Sequence, residues 1–284
     1  MTEPYRYQAS TKSESSDELI NTVLLRPLAA VIVRILYRTP VTPNQVTLAS
    51  TFAGLFAALA YTYDSVIAAG LLVTLKDLLD SADGQLARAK NLYSRRGRFL
   101  DSIGDFVVNL AVFSALGWIL AQKTQSSLPW LWAFFGLAGI TLRVSYHVFY
   151  QTSFLHLGGA YQANRLTEEI TAEDLAGDRL ALILQKIFLG IYGWQDRLMV
   201  ALDAWCCKGR FDEEFRRRWY SDPAGLRLSG LLGMGTELFL LMLCSVSGNL
   251  EGYFWLNIAG MNAILLASVA YRRHLAGRLA QGLN

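Results

Sequence analysis

From Leu128 to Tyr150 the chain carries one fixed charge, Arg143, and comparable apolar stretches recur along its length. A helix that crosses roughly 30 Å of hydrocarbon needs about 20 mostly apolar residues, because its backbone N–H and C=O groups must be satisfied within the segment itself. That requirement predicts an all-α, polytopic membrane protein with six transmembrane helices, near 46–63, 66–88, 99–121, 128–150, 226–247 and 253–271. With 53% hydrophobic and 17% charged residues among 284, a water-soluble domain built around one core is excluded. The net charge of +3 comes without a basic stripe interleaved with aromatics, which argues against nucleic acid as a partner.

The charges are sorted by side. The short connections Thr62–Ser65, Gln122–Leu128 and Ser247–Gly252 carry one lysine, Lys123, and otherwise acidic or polar residues. The other side holds Arg26, Arg34 and Arg38, then Lys90, Arg95, Arg96 and Arg98, then Arg272, Arg273 and Arg278. Positive loops stay in the cytoplasm, so the expected location is the cell (inner) membrane, multi-pass, with both termini and the loop 89–98 on the cytoplasmic side.

Residues 1–17 lack the basic start and apolar core of a secretory signal and read as a flexible cytoplasmic tail. Residues 18–284 form one transmembrane domain. Within it, 18–40 has apolar residues every three to four positions with arginines on another face, the pattern of an interfacial amphipathic helix. Residues 151–225 read as a cytoplasmic insertion between spans four and five. Its apolar segment, Leu180 to Trp194, is too short for a span and is expected to lie in or on the interface. Cys206, Cys207 and Cys244 show neither a disulfide framework nor zinc-site spacing and read as inert thiols.

Ionisable residues inside spans are costly, and by default they mark a functional site or a polar cavity. Here they form an ordered run: Asp80-x-x-Asp83-Gly84-x-x-Ala87-Arg88, eight residues, then Gly97-x-x-x-Asp101-x-x-x-Asp105. Asp80 and Asp83 share one face of the second span, and Asp101 and Asp105 one face of the third. Helices joined by a short loop are antiparallel neighbours, so the four carboxylates can converge near the cytoplasmic surface. Such a set, without histidine or thiol, suits Mg²⁺ or Mn²⁺ together with diphosphate oxygens. Two ions there could stabilise the attacking and leaving oxygens of a phosphoryl transfer, while a carboxylate left off the metal takes a proton from an attacking hydroxyl. Asp105, last in the run and closest to the membrane interior, is the candidate base. Gly84 and Gly97 permit close approach of a nucleotide or of backbone, and Arg88 offers a planar fork to phosphate. The blander reading pairs each aspartate with a nearby arginine to hold helices together.

This spacing is complete, without a substituted position or shifted gap, and it resembles the signature of the CDP-alcohol phosphotransferase (phosphatidyltransferase) family. The stretch Thr39–Ser50, with Pro43-Asn44-Gln45-Val46-Thr47, resembles the start of that family's first span. The resemblance implies a phospholipid-building transferase that moves a phosphoalcohol from a CDP-linked donor to a hydroxyl and releases CMP. It implies that Asp80, Asp83, Asp101 and Asp105 surround Mg²⁺ or Mn²⁺, two ions in all, with Asp105 also as proton acceptor. Gly84, Arg88 and Ser94 would line the donor site together with the motif positions Asp80, Asp83, Ala87 and Gly97, and Pro43, Asn44, Gln45 and Val46 would close it. It also implies a homodimer. Pro43-Asn44 could instead cap a helix, and Ser94 could be a solvated loop residue.

The acceptor is less legible. Arg143 and His147, i,i+4 on the fourth span, could bind an acceptor phosphate or carboxylate, or could snorkel to the interface. The donor is either CDP-diacylglycerol, with a small polar alcohol such as inositol phosphate, glycerol phosphate or serine as acceptor, or a soluble CDP-alcohol with a lipid hydroxyl or polyol. Two other classes compete. An intramembrane prenyltransferase would carry two aspartate motifs on separate helix pairs, and a divalent-cation transporter would spread acids over several spans, where only Glu237 lies outside the run.

Overall fold

The computed structural model describes residues 18–159, 168–210 and 212–282; the expected tail at 1–17 lies outside them. Every regular element among the described residues is a helix. A π-helical turn, Asn21–Leu25, runs into α1 (Arg26–Leu36), which buries Ala29 and Val33 and leaves Leu28, Val31 and Ile35 exposed. It is followed by α2 (Pro43–Thr62), α3 (Val66–Lys90), α4 (Arg95–Thr124) and α5 (Leu128–Leu157). The segment expected as an insertion contributes the short α6 (Ala172–Ala176), α7 (Arg179–Cys206) and α8 (Glu213–Tyr220). The chain ends in α9 (Pro223–Gly230), α10 (Met234–Val246), α11 (Leu250–Trp255) and α12 (Asn262–Gly282), the last two joined by a π-helical turn over Leu256–Met261.

Local chemistry sets these boundaries. The Thr42 N–H donates to Gln45 Oε1 (2.9 Å) and Pro43 opens α2, so the first turn is closed by its own side chains. Ser94 Oγ accepts the Gly97 N–H at 2.9 Å to start α4, and Asp178 accepts the Leu180 and Ala181 N–H groups to start α7. Asn91 ends α3 in the left-handed conformation at φ 53°.

Among the described residues, four helices are long and apolar enough to cross a membrane: Pro43–Thr62, Arg95–Thr124, Leu128–Leu157 and Leu250–Gln281. The bent pair α9 and α10, with a 40° angle between them, makes a fifth if counted as one span. The protein is therefore a multi-pass membrane protein whose expected count of six is not reached on length and composition. The shortfall is α3, which occupies the expected second span but carries Lys76, Asp77, Asp80 and Asp83 on its inner half. The expected interfacial segment at 180–194 is also longer than its apolar run, because α7 continues to Cys206. It buries Gln185, Gln195 and Asp203 and exposes Leu180, Ile183, Ile187, Trp194 and Leu198, so its polar face packs inward and its apolar face points out.

Small residues let the spans approach closely. A Cβ on Gly104 of α4 would stand 2.6 Å from Thr51 Oγ1 of α2, and one on Gly70 of α3 would stand 2.6 Å from Ser245 Cβ of α10. The main core gathers Ala57, Tyr61, Val73, Leu116, Ile140, Leu241 and Tyr253. A second core ties α5, α7, α8 and α12 together around Asp203, whose carboxylate accepts from Tyr150 Oη (2.9 Å), Trp219 Nε1 (2.9 Å) and Tyr220 Oη (2.7 Å). The three cysteines are free and buried.

Candidate active site

α3, α4 and the start of α2 build the site; contrary to the expectation that the loop makes α3 and α4 packed neighbours, each of them packs chiefly against α2 and little against the other. Asp80, Asp101 and Asp105 each bring a carboxylate oxygen to within 4.8 Å of the others. Asp83 lies on the adjoining turn and accepts the Thr47 hydroxyl at 2.5 Å, so α2 holds it from the side. Asp101 Oδ1 is buried and has no hydrogen-bond partner among the described residues. An uncompensated carboxylate oxygen in such surroundings is expensive unless something positive completes it. Three converging carboxylates and one orphaned oxygen are a donor set that fits a hard divalent cation.

The nucleotide-side residues are placed unevenly. Arg88 folds back over Gly84, where a Cβ would lie 3.4 Å from its Nη1. Asn44, Ser94 and Gly97 meet across α2 and α4: a Cβ on Gly97 would stand 2.6 Å from Asn44 Oδ1 and 2.9 Å from Ser94 Oγ. Gly97 is thus packed against two side chains, those of Asn44 and Ser94. Ser94 is a helix cap and Gln45 part of another, so both have structural employment. Val46 packs with Ala29, Val33, Ala82 and Leu86, and Pro43 is buried at the head of α2. Ala87 is half-buried on the same turn as Arg88. Lys90 reaches back to the carbonyls of Thr39 and Val41, both at 2.8 Å, and so pins the segment before α2 onto the end of α3.

Arg143 neither snorkels nor opens toward the carboxylates. It is fully buried, its Nε donating to Glu237 Oε1 (2.6 Å) and its Nη1 to Asn262 Oδ1 (2.7 Å), while Asn257 Nδ2 donates to Glu237 Oε2 (3.0 Å). His147, also buried, lies 3.9 Å from Glu18 Oε1, and Glu18 Oε2 accepts the Thr236 N–H at the start of α10. Arg143 and His147, one turn apart on α5, therefore face different partners, Glu237 with Asn262 and Glu18 respectively.

Two features were missed in the sequence. Lys76, one turn before Asp80, buries its ammonium against Asp105, with Asp80 Oδ1 at 3.6 Å. An i,i+4 lysine inside a charged span was the available signal. The second is a strap formed by 168–178. Glu168 pairs with Arg95 (2.7 Å) and Arg98 (2.5 Å), Asp174 with Arg95, and Asp178 with Arg96. Gln185 of α7 donates to Glu168 (2.9 Å) and Asp174 (3.1 Å). The strap lies outside the spans, and the Arg95 guanidinium with the Thr171 N–H holds the Asp174 carboxyl well below its ordinary value. Tyr192 of α7 donates to the Ser102 carbonyl at 2.8 Å, which brings this helix beside the carboxylates.

The chain is similar to known proteins over part of its length. A stretch of this chain is 33% identical over 161 residues to the bifunctional IPC transferase and DIPP synthase of Aquifex aeolicus, covering 57% of this chain and 35% of that protein. It is 32% identical over 123 residues to the phosphatidylinositol phosphate synthase of Mycobacteroides abscessus, covering 43% and 48%. It is 38% identical over 65 residues to the archaetidylinositol phosphate synthase of Pyrococcus horikoshii, covering 23% and 35%. The chain spans about a third or less of the length of the bifunctional relatives it matches. The sequence profile of the CDP-alcohol phosphatidyltransferases matches residues 40–206, a stretch that includes the whole carboxylate run and exceeds half of the chain. This chain belongs to the CDP-alcohol phosphatidyltransferase family.

Proposed function

We propose that this protein is a divalent-metal-dependent phosphotransferase that cleaves the diphosphate of a CDP-linked donor, passes the phosphoalcohol to a hydroxyl and releases CMP. The observation that carries this reading is the convergence of Asp80, Asp101 and Asp105 with an orphaned, buried Asp101 oxygen. Asp80, Asp83, Asp101 and Asp105 would hold Mg²⁺ or Mn²⁺, two ions on the present reading. When bound, these ions supply neutralisation of the diphosphate and of the charge developing on CMP.

The chain's own residues do the rest. Asp105 takes the proton from the acceptor hydroxyl, whose oxygen then attacks the phosphorus distal to cytidine as the bond to CMP breaks. Arg88, held over Gly84, faces the phosphates, and the junction of Asn44, Ser94 and Gly97 seats the nucleotide where backbone approach is close. Pro43, Gln45 and Val46 shape that junction from the head of α2, and Ala87 lines the turn between Gly84 and Arg88.

The donor is proposed as CDP-diacylglycerol, giving phosphatidyl transfer in phospholipid biosynthesis. The names of two relatives support an inositol-phosphate-like acceptor. The distribution of arginines supports an inner-membrane setting with the termini and site on the cytoplasmic side, and the family resemblance supports a homodimer. His147 remains the proposed acceptor contact. Arg143 could serve an acceptor only by surrendering its pairing with Glu237.

The test is CMP release by the purified chain with Mg²⁺ or Mn²⁺ across a panel of CDP-linked donors and of polar and lipid acceptors. Turnover with one pair, lost in Asp105→Asn while the variant stays monodisperse, is the expected result. No CMP from any combination overturns the proposal.

A further inference from the structure

Polar side chains continue past the carboxylate run, one turn farther from the loop that joins α3 and α4. Asp77 precedes Asp80 at i,i+3 on α3, and Asn109 follows Asp105 at i,i+4 on α4. Both are buried, at 7% and 8% exposure. Asp77 makes no hydrogen bond among the described residues, and Asn109 Nδ2 donates to Met234 Sδ at 3.6 Å, a weak acceptor. The Lys76 ammonium, next to Asp77 in the chain, is turned to Asp105 and Asp80 instead.

The head of α10 meets these residues. A Cβ on Gly235 would stand 3.0 Å from Glu18 Oε2 and 3.5 Å from Asp77 Oδ2, so the two carboxylates approach over a glycine that leaves them room. His147 Nε2 lies 3.9 Å from Glu18 Oε1. Thr236 Oγ1, the next hydroxyl along α10, is buried and has no hydrogen-bond partner among the described residues. A buried carboxylate without a hydrogen bond is costly, and in a membrane chain such a cost marks a site that a ligand completes. Two carboxylates beside one imidazole repel a phosphate or a carboxylate. An ammonium would satisfy Asp77 and leave the Asn109 amide wanting an acceptor. Hydroxyls both donate and accept, and so satisfy Asp77, Asn109 and Thr236 together.

We propose that Asp77 and Asn109 are specificity-determining residues that hold the further hydroxyls of a polyol acceptor while one hydroxyl of the same molecule is presented to Asp105. The two sets of contacts lie one helical turn apart, about 5.4 Å, which is within the reach of a small polyol. A phosphate on that acceptor points away from Asp77 and Glu18. The inference rests on the proposed function and deepens it: the aspartate spacing fixes the bond that breaks, and this inner end of the site fixes the class of compound that receives the phosphoalcohol.

The experiment uses the full chain in detergent with Mn²⁺, as the unaltered protein, Asp77→Asn and Asn109→Leu. CMP release from CDP-diacylglycerol is followed with myo-inositol 1-phosphate, glycerol 3-phosphate or serine as acceptor. Thermal unfolding is recorded with each acceptor and no donor, a readout that needs no turnover. The unaltered chain is expected to prefer a polyol phosphate to serine and to be stabilised by it. In both variants KM for that acceptor rises by about tenfold or more and the stabilisation is lost. Donor KM, kcat and Mn²⁺ affinity, read from the EPR signal of free Mn²⁺, stay within about threefold.

A preference for serine, or an unaltered chain that neither polyol phosphate stabilises, overturns the proposal. So does an acceptor KM that is unchanged, or that rises only in step with donor KM, since residues that merely hold helices together would give that result. Loss of more than about tenfold in Mn²⁺ affinity in Asp77→Asn also overturns it, because Asp77 would then be a metal ligand. Should Asp77→Asn not purify as a monodisperse species, Asn109→Leu on the other helix decides alone. An unaltered chain that a polyol phosphate stabilises through these residues, but that releases no CMP, condemns the proposed function and leaves the polyol site standing.

Discussion

Two of the groups of charge buried among the described helices of this protein are built on opposite plans. Around Glu237, one cation meets one anion: Arg143 donates to one oxygen, Asn257 to the other, and Asn262 takes a further guanidinium N–H. Around Asp80, Asp101 and Asp105, the Lys76 ammonium faces several carboxylates, and an oxygen of Asp101 has no partner among the described residues. A balanced pair has used its capacity on itself and can only hold helices together. An unbalanced cluster is unfavourable until a cation arrives, and natural chains retain such a cost where binding repays it. Charge in a span is therefore a weak sign of function, and surplus charge of one sign is a strong one.

The sharpest way to break this contrast is to remove one carboxylate from each group. Asp105→Asn is expected to lower CMP release by about 10³-fold or more, at little cost in stability, because it deletes the proton acceptor and relieves repulsion. CMP assays and thermal unfolding of the same preparation check both halves.

Glu237→Gln should do the reverse. It strands the Arg143 guanidinium without a counter-charge and costs about 3–5 kcal/mol, read as a large drop in unfolding temperature. Replacing both partners with apolar residues of similar size, Arg143→Met with Glu237→Leu, should recover most of that loss. Turnover per folded molecule is expected to survive the double replacement. A double variant that is stable yet inactive would return Arg143 to the acceptor site.

A smaller effect is expected at the nucleotide junction. Gly97→Ala places a methyl 2.6 Å from Asn44 Oδ1 and 2.9 Å from Ser94 Oγ. Donor KM should rise by about tenfold, equivalent to about 1.4 kcal/mol of lost binding, with kcat less affected. A kinetic titration of donor decides.

The smallest concerns the strap. Because the Asp174 carboxyl is held below its ordinary value of 3.8 by Arg95 and the Thr171 N–H, its contribution is complete at neutral pH. It is lost only as pH falls below that value toward the depressed one. Hydrogen exchange in 168–178 should accelerate in that acid range, and Asp174→Asn should show fast exchange already at neutral pH. Glu168, Arg95 and Gln185 share the network, so the release is partial.

How much of this was legible differs by feature. The spans at Pro43–Thr62, Arg95–Thr124 and Leu128–Leu157 follow from apolar length alone, since a lipid-facing helix is specified by composition more than by partners. The carboxylate face was legible because i,i+3 and i,i+4 spacing on two helices joined by a short loop leaves few arrangements. The extent of α7 was not, because its buried face is polar, with Gln185, Gln195 and Asp203 inward, and an apolar-run criterion stops before it ends.

By itself, then, the sequence determined an all-helical membrane chain with four acids in phase on consecutive helices and a nucleotide motif beside them. Only the tertiary structure decided that Lys76 takes Asp105, that Glu237 takes Arg143, and that the strap at 168–178 pairs with the arginines that open α4. The reason is physical. Periodicity along a helix states which way a side chain points, whereas the partner of a buried charge is chosen by whichever opposite charge another helix, often distant in sequence, brings within a few ångströms.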